Sequence, residues 1–241
     1  MSTKHGNGVP VDVAFRPVHR TDWFNDLAPD LQKQIRARMT PRRFTAGALI
    51  YQEGDPGGVM YRIVDGRVRI RSLSACGKEV LMVIYGPGHC IGAVAVLDGL
   101  PRHNDAVAET DVILDALSEE DFHAIAQREP QLYKALAISY TMWIRDLHTM
   151  FSGGLPLEER LARRLDFLLD FGITESDDRN KVALRIDLTQ EMLAASVAVS
   201  RQAISRILQS WQESGVIDYR RGSMVVLDRF RLRRLAGKVA A

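Results

Sequence analysis

The residues with the most specific chemistry lie in the stretch SRQAISRILQ, residues 200–209. Its polar side chains recur at four-residue spacing, which places them along one face of a helix; they are Arg201, Gln202, Ser205 and Arg206. An arginine donates two hydrogen bonds to guanine O6 and N7, and a glutamine pairs in the same way with adenine N6 and N7. We therefore expect the two arginines to contact guanine. Gln202 is expected to contact a base, with adenine favoured, and Ser205 a base edge or a thymine methyl.

A second helix must hold this face against DNA, and the preceding residues predict one. Thr189 is a suitable N-cap for a helix through Leu193 and Ala195, and Ser200 for a helix that runs to about Ser214. The apolar positions that join the two helices are Leu193, Val197, Ile204, Leu208 and Trp211. This spacing predicts a helix-turn-helix motif, whose second helix enters the major groove by its N-terminal end.

The surrounding residues are suited to contacts with phosphate. We assign such contacts to Thr189, Gln190 and Ser200, which would position the protein without reading sequence. A hairpin around residues 220–223 would form a wing, with Arg220 and Arg221 beside the DNA backbone. Residues 182–241 carry ten Lys and Arg against five acidic residues, whereas the whole chain has a net charge of +2. This asymmetry favours a polyanion partner; the alternatives are a solvated basic face, or a C-terminal domain that contacts protein instead of DNA.

The elements that carry this motif change type along the chain. Residues 43–115 are rich in Val, Ile and Tyr with regular turn signals, which predicts short antiparallel strands in a roll or barrel. The stretch YRIVDGRVRI, residues 61–70, is predicted as a hairpin, with Asp65 and Gly66 in the turn. Helical periodicity begins after Ser118, a predicted N-cap.

A longer helix is predicted from about Pro130 to Phe151. Its apolar residues recur at steps of four and three, as in a coiled-coil seam, and predict a dimer interface; they are Leu136, Tyr140, Trp143, Leu147 and Met150. The alternative is a helix that packs on its own domain. Residues 152–156, SGGLP, end the helix and predict a hinge. The predicted organisation is a flexible leader (1–20), an effector domain (21–128), a dimerisation helix with its hinge (129–156) and a DNA-binding domain (157–241).

Composition excludes several classes of protein. The chain has 241 residues, of which 46% are hydrophobic and 26% charged, as in a soluble globular protein. It has no apolar run of the roughly 18 residues that a membrane span needs, and its first residues lack the apolar core of a secretory signal. Two cysteines, Cys76 and Cys90, are interpreted as free thiols of a cytoplasmic protein. Phosphate-loop, nucleophile-elbow and metal-spaced histidine motifs are missing, so we expect neither an enzyme nor a metal site.

With these motifs the chain resembles the Crp–Fnr family of bacterial transcription regulators over about residues 25–230. The resemblance rests on YRIVDGRVRI, IG with LDGLPR, LTQEMLA with VSRQAISRILQ, and GVI. It implies an α+β fold with an N-terminal antiparallel, jelly-roll-like β-roll, a long dimerisation helix and a C-terminal winged helix-turn-helix. It also implies a homodimer that binds double-stranded DNA at an inverted repeat and contacts RNA polymerase.

The sequence departs from the cyclic-AMP-binding relatives in the stretch that they use for the nucleotide, residues 88–108. In those relatives the residue after IG is Glu, which accepts from the ribose, and Arg-Ser follows the next turn and holds the phosphate. Here Gly92 and Arg102 are kept, but Ala93 and His103 replace Glu and Ser. The candidate effector pocket is formed by Gly92, Ala93, Val94, Arg102, His103, Asn104, Arg145 and Asp146. Asp105 would repel a phosphate if it faced inward.

These changes predict that cyclic AMP is not bound in the usual way. A different small anionic or nucleotide effector held by Arg102 and His103 is one alternative, and a pocket filled by side chains is another. Haem is less favoured, because adjacent residues such as His89 and Cys90 point in opposite directions in an extended segment. In the DNA-reading part, Ala198 stands where many relatives have Gly, which predicts a turn that is slightly strained or differently shaped.

Overall fold

The structure is a computed structural model and describes residues 22–73, 77, 79–151, 154–171, 182–184, 188–220 and 223–238. Four sequence predictions lie outside these residues: the leader over 1–20, the thiol of Cys76, residues 152–153 of the hinge, and the wing residue Arg221. The side chains of Asp146 and Met150 are likewise outside the description.

The N-terminal part is an antiparallel β-roll, which confirms the predicted fold class. In chain order its elements are α1 (Pro29–Arg36), β1 (Thr40–Phe44), β2 (Leu49–Tyr51), β3 (Val59–Asp65), β4 (Val68–Leu73), β5 (Glu79–Tyr85), β6 (Cys90–Ile91), α2 (Ala93–Asp98), β7 (Asp105–Ala108), β8 (Val112–Ser118) and α3 (Glu119–Ala126). Strands β1-β8-β3-β6 form one four-stranded sheet and β2-β7-β4-β5 the other. Alternating apolar side chains such as Leu114 and Ile70 are buried in the core of the roll.

The turn at Gly66 exists, but the prediction of a hairpin over residues 61–70 is wrong. Strand β3 pairs with β6 and β8, whereas β4 pairs with β5 and β7, so the chain passes from one sheet to the other at this turn. Gly66 has a φ of 81°, and a Cβ at this position would lie 2.2 Å from the carbonyl oxygen of Asp111. Close packing against the loop before β8 therefore fixes the turn, rather than pairing of its two flanking strands.

Two helices follow the roll, and both begin where the sequence predicts. The Oγ of Ser118 accepts from the backbone N–H of Asp121 at 3.1 Å, so it caps α3. Helix α4 (Gln131–Phe151) agrees with the predicted long helix.

The predicted dimer seam on α4 is partly wrong. Leu136 is 1% exposed and is buried in the core that α3 and α4 share with α1. It packs within its own domain and is not available to a partner subunit. Tyr140 packs against the same core, Trp143 packs against the core that the β-roll shares with the C-terminal part, and Leu147 is half-buried. Among the α4 side chains that the structure describes, the large apolar ones left exposed are Tyr133, Ile138 and Ile144.

The C-terminal part has the arrangement of a winged helix. Its elements are α5 (Leu157–Phe171), β9 (Val182–Leu184), α6 (Gln190–Ser196), α7 (Arg201–Glu213), β10 (Ile217–Arg220), β11 (Ser223–Val226) and α8 (Arg229–Leu235). Strands β10 and β11 form the predicted hairpin, and the sheet order is β10-β11-β9.

The two parts are joined by a buried arginine. Arg164 on α5 donates through Nη2 to the carbonyls of Leu81 and Met82 on β5, at 2.6 and 2.7 Å. These carbonyls are available where the β4–β5 ladder changes register. Burial lowers the pKa of Arg164 to about 10. Helix α6 also packs against β5, so the winged-helix domain is seated on this strand.

Candidate DNA-binding surface and ligand cavity

The helix-turn-helix is built by two hydroxyl caps, as predicted. Thr189 Oγ1 accepts from the backbone N–H of Met192 at 3.1 Å, and Ser200 Oγ accepts from that of Ala203 at 3.3 Å. Both cap residues have extended backbone angles, so each ends the preceding segment and begins a helix. Thr189 and Ser200 are both exposed. Because their hydroxyl oxygens accept in the caps, the hydroxyl protons remain available to donate to a phosphate.

The apolar positions of the two helices form one core. Leu193, Ile204, Leu208 and Trp211 are buried, and Val197 packs against them. The indole N–H of Trp211 donates to Glu158 Oε1 at 2.7 Å, which ties α7 to α5. Tyr219 of the wing donates its hydroxyl to the carbonyl of Leu188, just before α6. The recognition helix is therefore fixed from both sides.

The turn between α6 and α7 contains backbone strain. Ala198 has a φ of 55°, and it is the only non-glycine residue with positive φ among those that the structure describes. A Cβ in this conformation approaches the following carbonyl, at a cost of roughly 1–2 kcal/mol. Of the two alternatives that the sequence left for this turn, the strained one is present.

The polar face of α7 is turned to solvent. Arg201, Gln202 and Arg206 are exposed, and Ser205 is half-exposed. Arg201 Nε lies 3.0 Å from Glu191 Oε1 on α6, with both side chains about two-thirds exposed. Such an exposed ion pair contributes little, and a phosphate or base edge can replace it. Gln190 is half-buried and its Oε1 has no partner in the described part of the chain, so it is less accessible than predicted.

Of the two arginines predicted for the wing, the structure describes Arg220. Arg220 is exposed, and its Nε lies 2.9 Å from Asp218 Oδ1 on the same strand. Because this pair is solvent-facing, it leaves Arg220 able to approach a phosphate.

Other cations of this domain are bound within it. Asp166 on α5 is completely buried, and it accepts from Arg233 Nε at 3.1 Å and from Lys238 Nζ at 2.7 Å. Arg229 contacts both Asp166 and Asp170. These three cations are paired with carboxylates inside the domain. The number of Lys and Arg residues in the C-terminal part is therefore larger than the number that can contact a polyanion.

The β-roll contains a cavity of about 170 Å³ beside the loop that resembles a phosphate site. Arg102 lies in its wall and is only 5% exposed. Its Nη1 donates to the carbonyl of Gly92 at 2.7 Å, and its Nη2 donates to the carbonyl of Val59. Its guanidinium carbon lies 4.3 Å from the centre of the Tyr51 ring. A Cβ at Gly92 would meet Nη1 at 2.5 Å, so the glycine is required for this close approach.

The neighbouring loop residues have separate tasks. His103 and Asn104 line the cavity and contact each other at 2.9 Å between Nε2 and Nδ2. Asp105 is not in the cavity wall; its oxygens accept from the backbone N–H of Glu53 and from Arg71 Nε, at 2.9 and 3.2 Å. Asp105 therefore closes the sheet and does not face a ligand.

The cavity wall differs from the predicted pocket on its helical side. Gly92, Ala93 and Val94 line it as predicted, but Arg145 is exposed and outside it, since the helix turns that side chain away. The wall is formed instead by residues that the sequence did not suggest, from several elements: Tyr51, Tyr85, His89, Tyr140, Trp143 and Phe171. Phe171 belongs to α5, so the DNA-binding domain contributes to the cavity. No short motif joins positions so far apart in the chain.

Within the described ranges, no group of three His, Cys, Asp or Glu side chains is placed to hold a metal ion. Cys90 is a free thiol, and burial raises its pKa well above the ordinary value. None of the helices in the described ranges is long and apolar enough to cross a membrane.

The fold and the site together define a class, a winged-helix regulator with a cyclic-nucleotide-type β-roll. Residues 41–129 match the cyclic nucleotide-binding domain, and residues 159–235 match the Crp-like helix-turn-helix domain. The chain belongs to the Crp–Fnr family of transcription regulators, which confirms the resemblance found in the sequence.

Similar proteins span almost the full chain. It is 29% identical over 224 residues to a CRP-like cAMP-activated global transcriptional regulator of Mycobacterium tuberculosis, covering 90% of this chain and 97% of that one. It is 28% identical to the cyclic AMP receptor protein of Thermus thermophilus, covering 88% and 95%. A solved CRP/FNR-family regulator, also from Thermus thermophilus, has a TM-score of 0.62 at 28% identity, covering 82% and 98%. The c-di-GMP-responsive regulator CLP of Xanthomonas campestris has a TM-score of 0.64 at 21% identity, covering 83% and 99%, and shows the fold alone.

Proposed function

We propose that this protein is a sequence-specific DNA-binding regulator that reads the major groove with α7. The observation that carries the proposal is the combination of two hydroxyl-capped helices with an open polar face on the second. Arg201 and Arg206 would read guanine, and Gln202 a base between them, with adenine favoured. Thr189, Ser200, Arg220 and Arg221 would contact phosphates, which position the domain on the duplex.

The proposed assembly is a homodimer on an inverted repeat. Two recognition helices must lie about one helical turn apart to enter successive major grooves, and a two-fold axis provides this arrangement. Helix α4 supplies a suitable surface, because Ile138 and Ile144 are 50% and 57% exposed on it. The proposed interface is centred on these two residues, in place of the seam that the sequence suggested. A contact with RNA polymerase belongs to the same proposal.

An effector in the β-roll is proposed to control DNA binding, and cyclic AMP in its usual pose is not that effector. Two of the similar relatives are named for cyclic AMP. Here Ala93 and His103 replace the ribose and phosphate contacts that such relatives use, and both Nη atoms of Arg102 already donate to main-chain carbonyls. A ligand in the cavity would contact the winged-helix domain directly, because Phe171 of α5 is part of the cavity wall.

A gel-shift titration of the full chain against promoter fragments from its own genome tests the DNA-binding proposal. We expect a complex that resists non-specific competitor DNA and disappears when the target fragment is shuffled. Arg234→Ala is the control, because it removes one exposed positive charge from α8 and should leave binding of the fragment unchanged. If wild type shows no preference for any fragment, the C-terminal domain contacts a partner other than DNA, and the proposal is wrong.

A further inference from the structure

An acidic side chain stands next to the residues proposed to contact DNA. Glu191 lies in the first turn of α6, two positions after Thr189, which is proposed to contact a phosphate. Its Oε1 is 3.0 Å from Nε of Arg201, the first residue of α7. Like charges only a few ångströms apart repel each other even in water. A carboxylate at this place therefore weakens contacts with the DNA backbone, although the protein is proposed to bind DNA.

The backbone holds the two opposite charges close together. A hydroxyl cap fixes the start of each helix, and Glu191 and Arg201 lie within two residues of those caps. Tyr219 of the wing donates its hydroxyl to the main chain just before α6, at 2.9 Å. Burial raises the pKa of this tyrosine, the carboxylate of Glu191 raises it further and the guanidinium of Arg201 lowers it, so the hydroxyl lies near both charges. The pair is therefore built into the junction of α6, α7 and the wing.

Arg201 and Arg206 differ in their local charge. The guanidinium of Arg206 is exposed and makes no ion pair with a described residue, so its full charge faces solvent. The guanidinium of Arg201 is next to the carboxylate, which cancels much of its charge. Attraction to the DNA backbone depends on charge, because each phosphate that a cation neutralises releases a counterion. Arg206 gains this contribution, whereas Arg201 gains little of it.

A phosphate and a guanine are unequal partners for Arg201. A phosphate that replaces Glu191 exchanges one ion pair for another, and it stays next to the displaced carboxylate, which repels it. The major-groove edge of guanine is uncharged, and its O6 and N7 match two N–H groups of the guanidinium. The carboxylate therefore weakens binding to any phosphate and leaves recognition of guanine available.

We propose that Glu191 is a specificity-determining residue, which suppresses the attraction of Arg201 to phosphates and keeps this arginine for guanine. The inference rests on the proposed function, in which α7 reads the major groove. On a sequence without the right guanine, Arg201 stays with Glu191 and contributes little. Binding to unrelated DNA is thereby weakened more than binding to the operator, and specificity is the ratio of the two affinities.

Salt titrations of the full-length protein test this role with two DNA probes, a mixed-sequence duplex and the promoter fragment retained in the gel shift. Glu191→Gln removes the charge at nearly constant size. It should strengthen binding to the mixed-sequence duplex about threefold to tenfold, and steepen the dependence of log affinity on log salt by about one per recognition helix. Binding to the promoter fragment should rise by less, so the ratio of the two affinities should fall.

Two controls separate the ion pair from the net charge of the protein. Glu213→Gln makes the same change in charge at the exposed far end of α7. Helix geometry places that residue about 18 Å from Arg201, beyond the screening length of about 8 Å, so binding to the mixed-sequence duplex should stay nearly constant. In an Arg201→Ala background, Glu191→Gln should lose most of its effect, because the arginine that it frees is absent.

The inference is wrong if Glu191→Gln leaves binding to the mixed-sequence duplex unchanged or strengthens both probes by the same factor. It is equally wrong if Glu213→Gln has the same effect, or if the gain survives in Arg201→Ala. If wild type shows no preference for the promoter fragment, the proposed function fails and this inference fails with it. The two failures are distinguishable, because the first is measured on wild type alone.

Discussion

The winged-helix domain carries basic side chains on two surfaces, the recognition helix α7 and the terminal helix α8. On α8 the cations Arg229 and Arg233, with Lys238 just beyond it, converge on the buried carboxylate of Asp166. On α7 the guanidinium of Arg206 is exposed and makes no ion pair with a described residue. The same residue type therefore stabilises the fold on one surface and is open to a ligand on the other.

This difference shows why counting charges does not locate an interface. A buried carboxylate must be paired, because an isolated charge in the interior is very unfavourable. The cations that pair with it are lost to any outside partner. The cations of α7 do not pair with a buried carboxylate. The acidic residue near them, Glu191, forms only an exposed ion pair with Arg201, which a DNA contact can replace.

The largest expected effect is on the α8 side, from Asp166→Asn. This change leaves three cations around a neutral amide, and breaking a buried charge cluster in this way costs about 3–5 kcal/mol. Urea unfolding should show the loss, and Arg206→Ala should unfold like wild type. If Asp166→Asn unfolds at the same urea concentration as wild type, the α8 cations do not stabilise the fold through Asp166, and the proposed difference between α7 and α8 is wrong.

Acid should remove the same stabilisation. Burial alone would raise the pKa of Asp166, but Lys238, Arg233 and Arg229 outweigh it and hold that pKa below its ordinary value of 3.8. A carboxyl with a lowered pKa contributes fully above its unfolded pKa and loses its contribution as the pH falls through the folded one. The difference in unfolding free energy between wild type and Asp166→Asn should therefore be constant above about pH 5 and shrink below pH 4. If the difference in unfolding free energy between wild type and Asp166→Asn grew as the pH fell below 4, the pKa of Asp166 would not be lowered in the folded state.

A smaller effect is expected from Ile144→Asp on α4, which tests whether both recognition helices belong to one assembly. Because Ile144 is 57% exposed before association, burial of the rest of its side chain contributes about 1 kcal/mol per copy, or about 2 kcal/mol over the two copies in a two-fold interface. Light scattering should show a dimer for wild type and for the apolar control Ile144→Leu, and monomers for Ile144→Asp at micromolar concentration. A monomeric wild type that still binds its operator specifically would rule out this interface.

The smallest effect is expected from Ala198→Gly in the turn before α7. Glycine adopts a φ of 55° without the clash of a Cβ, so this change should stabilise the folded state by about 1 kcal/mol or less, after the entropy of the unfolded chain is subtracted. Thermal unfolding measures the difference. Ala203→Gly, inside α7 at an ordinary helical angle, is the control and should destabilise by about 1 kcal/mol. Destabilisation by both changes would mean that the turn is not strained.

The sequence predicted the two helices of the helix-turn-helix and their caps correctly, because this information is local. Thr189 and Ser200 cap their own helices, and the side chains proposed to read bases lie within six positions of one helix. The same local reasoning failed at residues 61–70, where the partners of each strand lie far along the chain and contact with Asp111 decides the turn. It also assigned Leu136 to a partner subunit, although α1 and α3 cover it.

The cavity was predicted least well, because its wall is assembled from distant segments. The positions of Gly92 and Arg102 follow from the loop, but the hydrogen bonds that engage both Nη atoms of Arg102 come from backbone carbonyls that no motif reveals. Phe171 comes from another domain and reaches the wall through the packing of α5 against β5, to which Arg164 also bonds. An aromatic residue at the end of an amphipathic helix carries no signal of this role.

The most direct test of the account is a selection of random duplexes with wild type, Arg206→Ala and Arg220→Ala. Wild type should select an inverted repeat. Arg206→Ala should lose the preference for guanine at one symmetric pair of positions, at a cost of about 1–3 kcal/mol per half-site. Arg220→Ala should weaken all sequences alike and reduce the salt dependence, because a phosphate contact carries no base information. If Arg206→Ala keeps the wild-type sequence preference while Arg220→Ala changes it, α7 is not the helix that reads DNA.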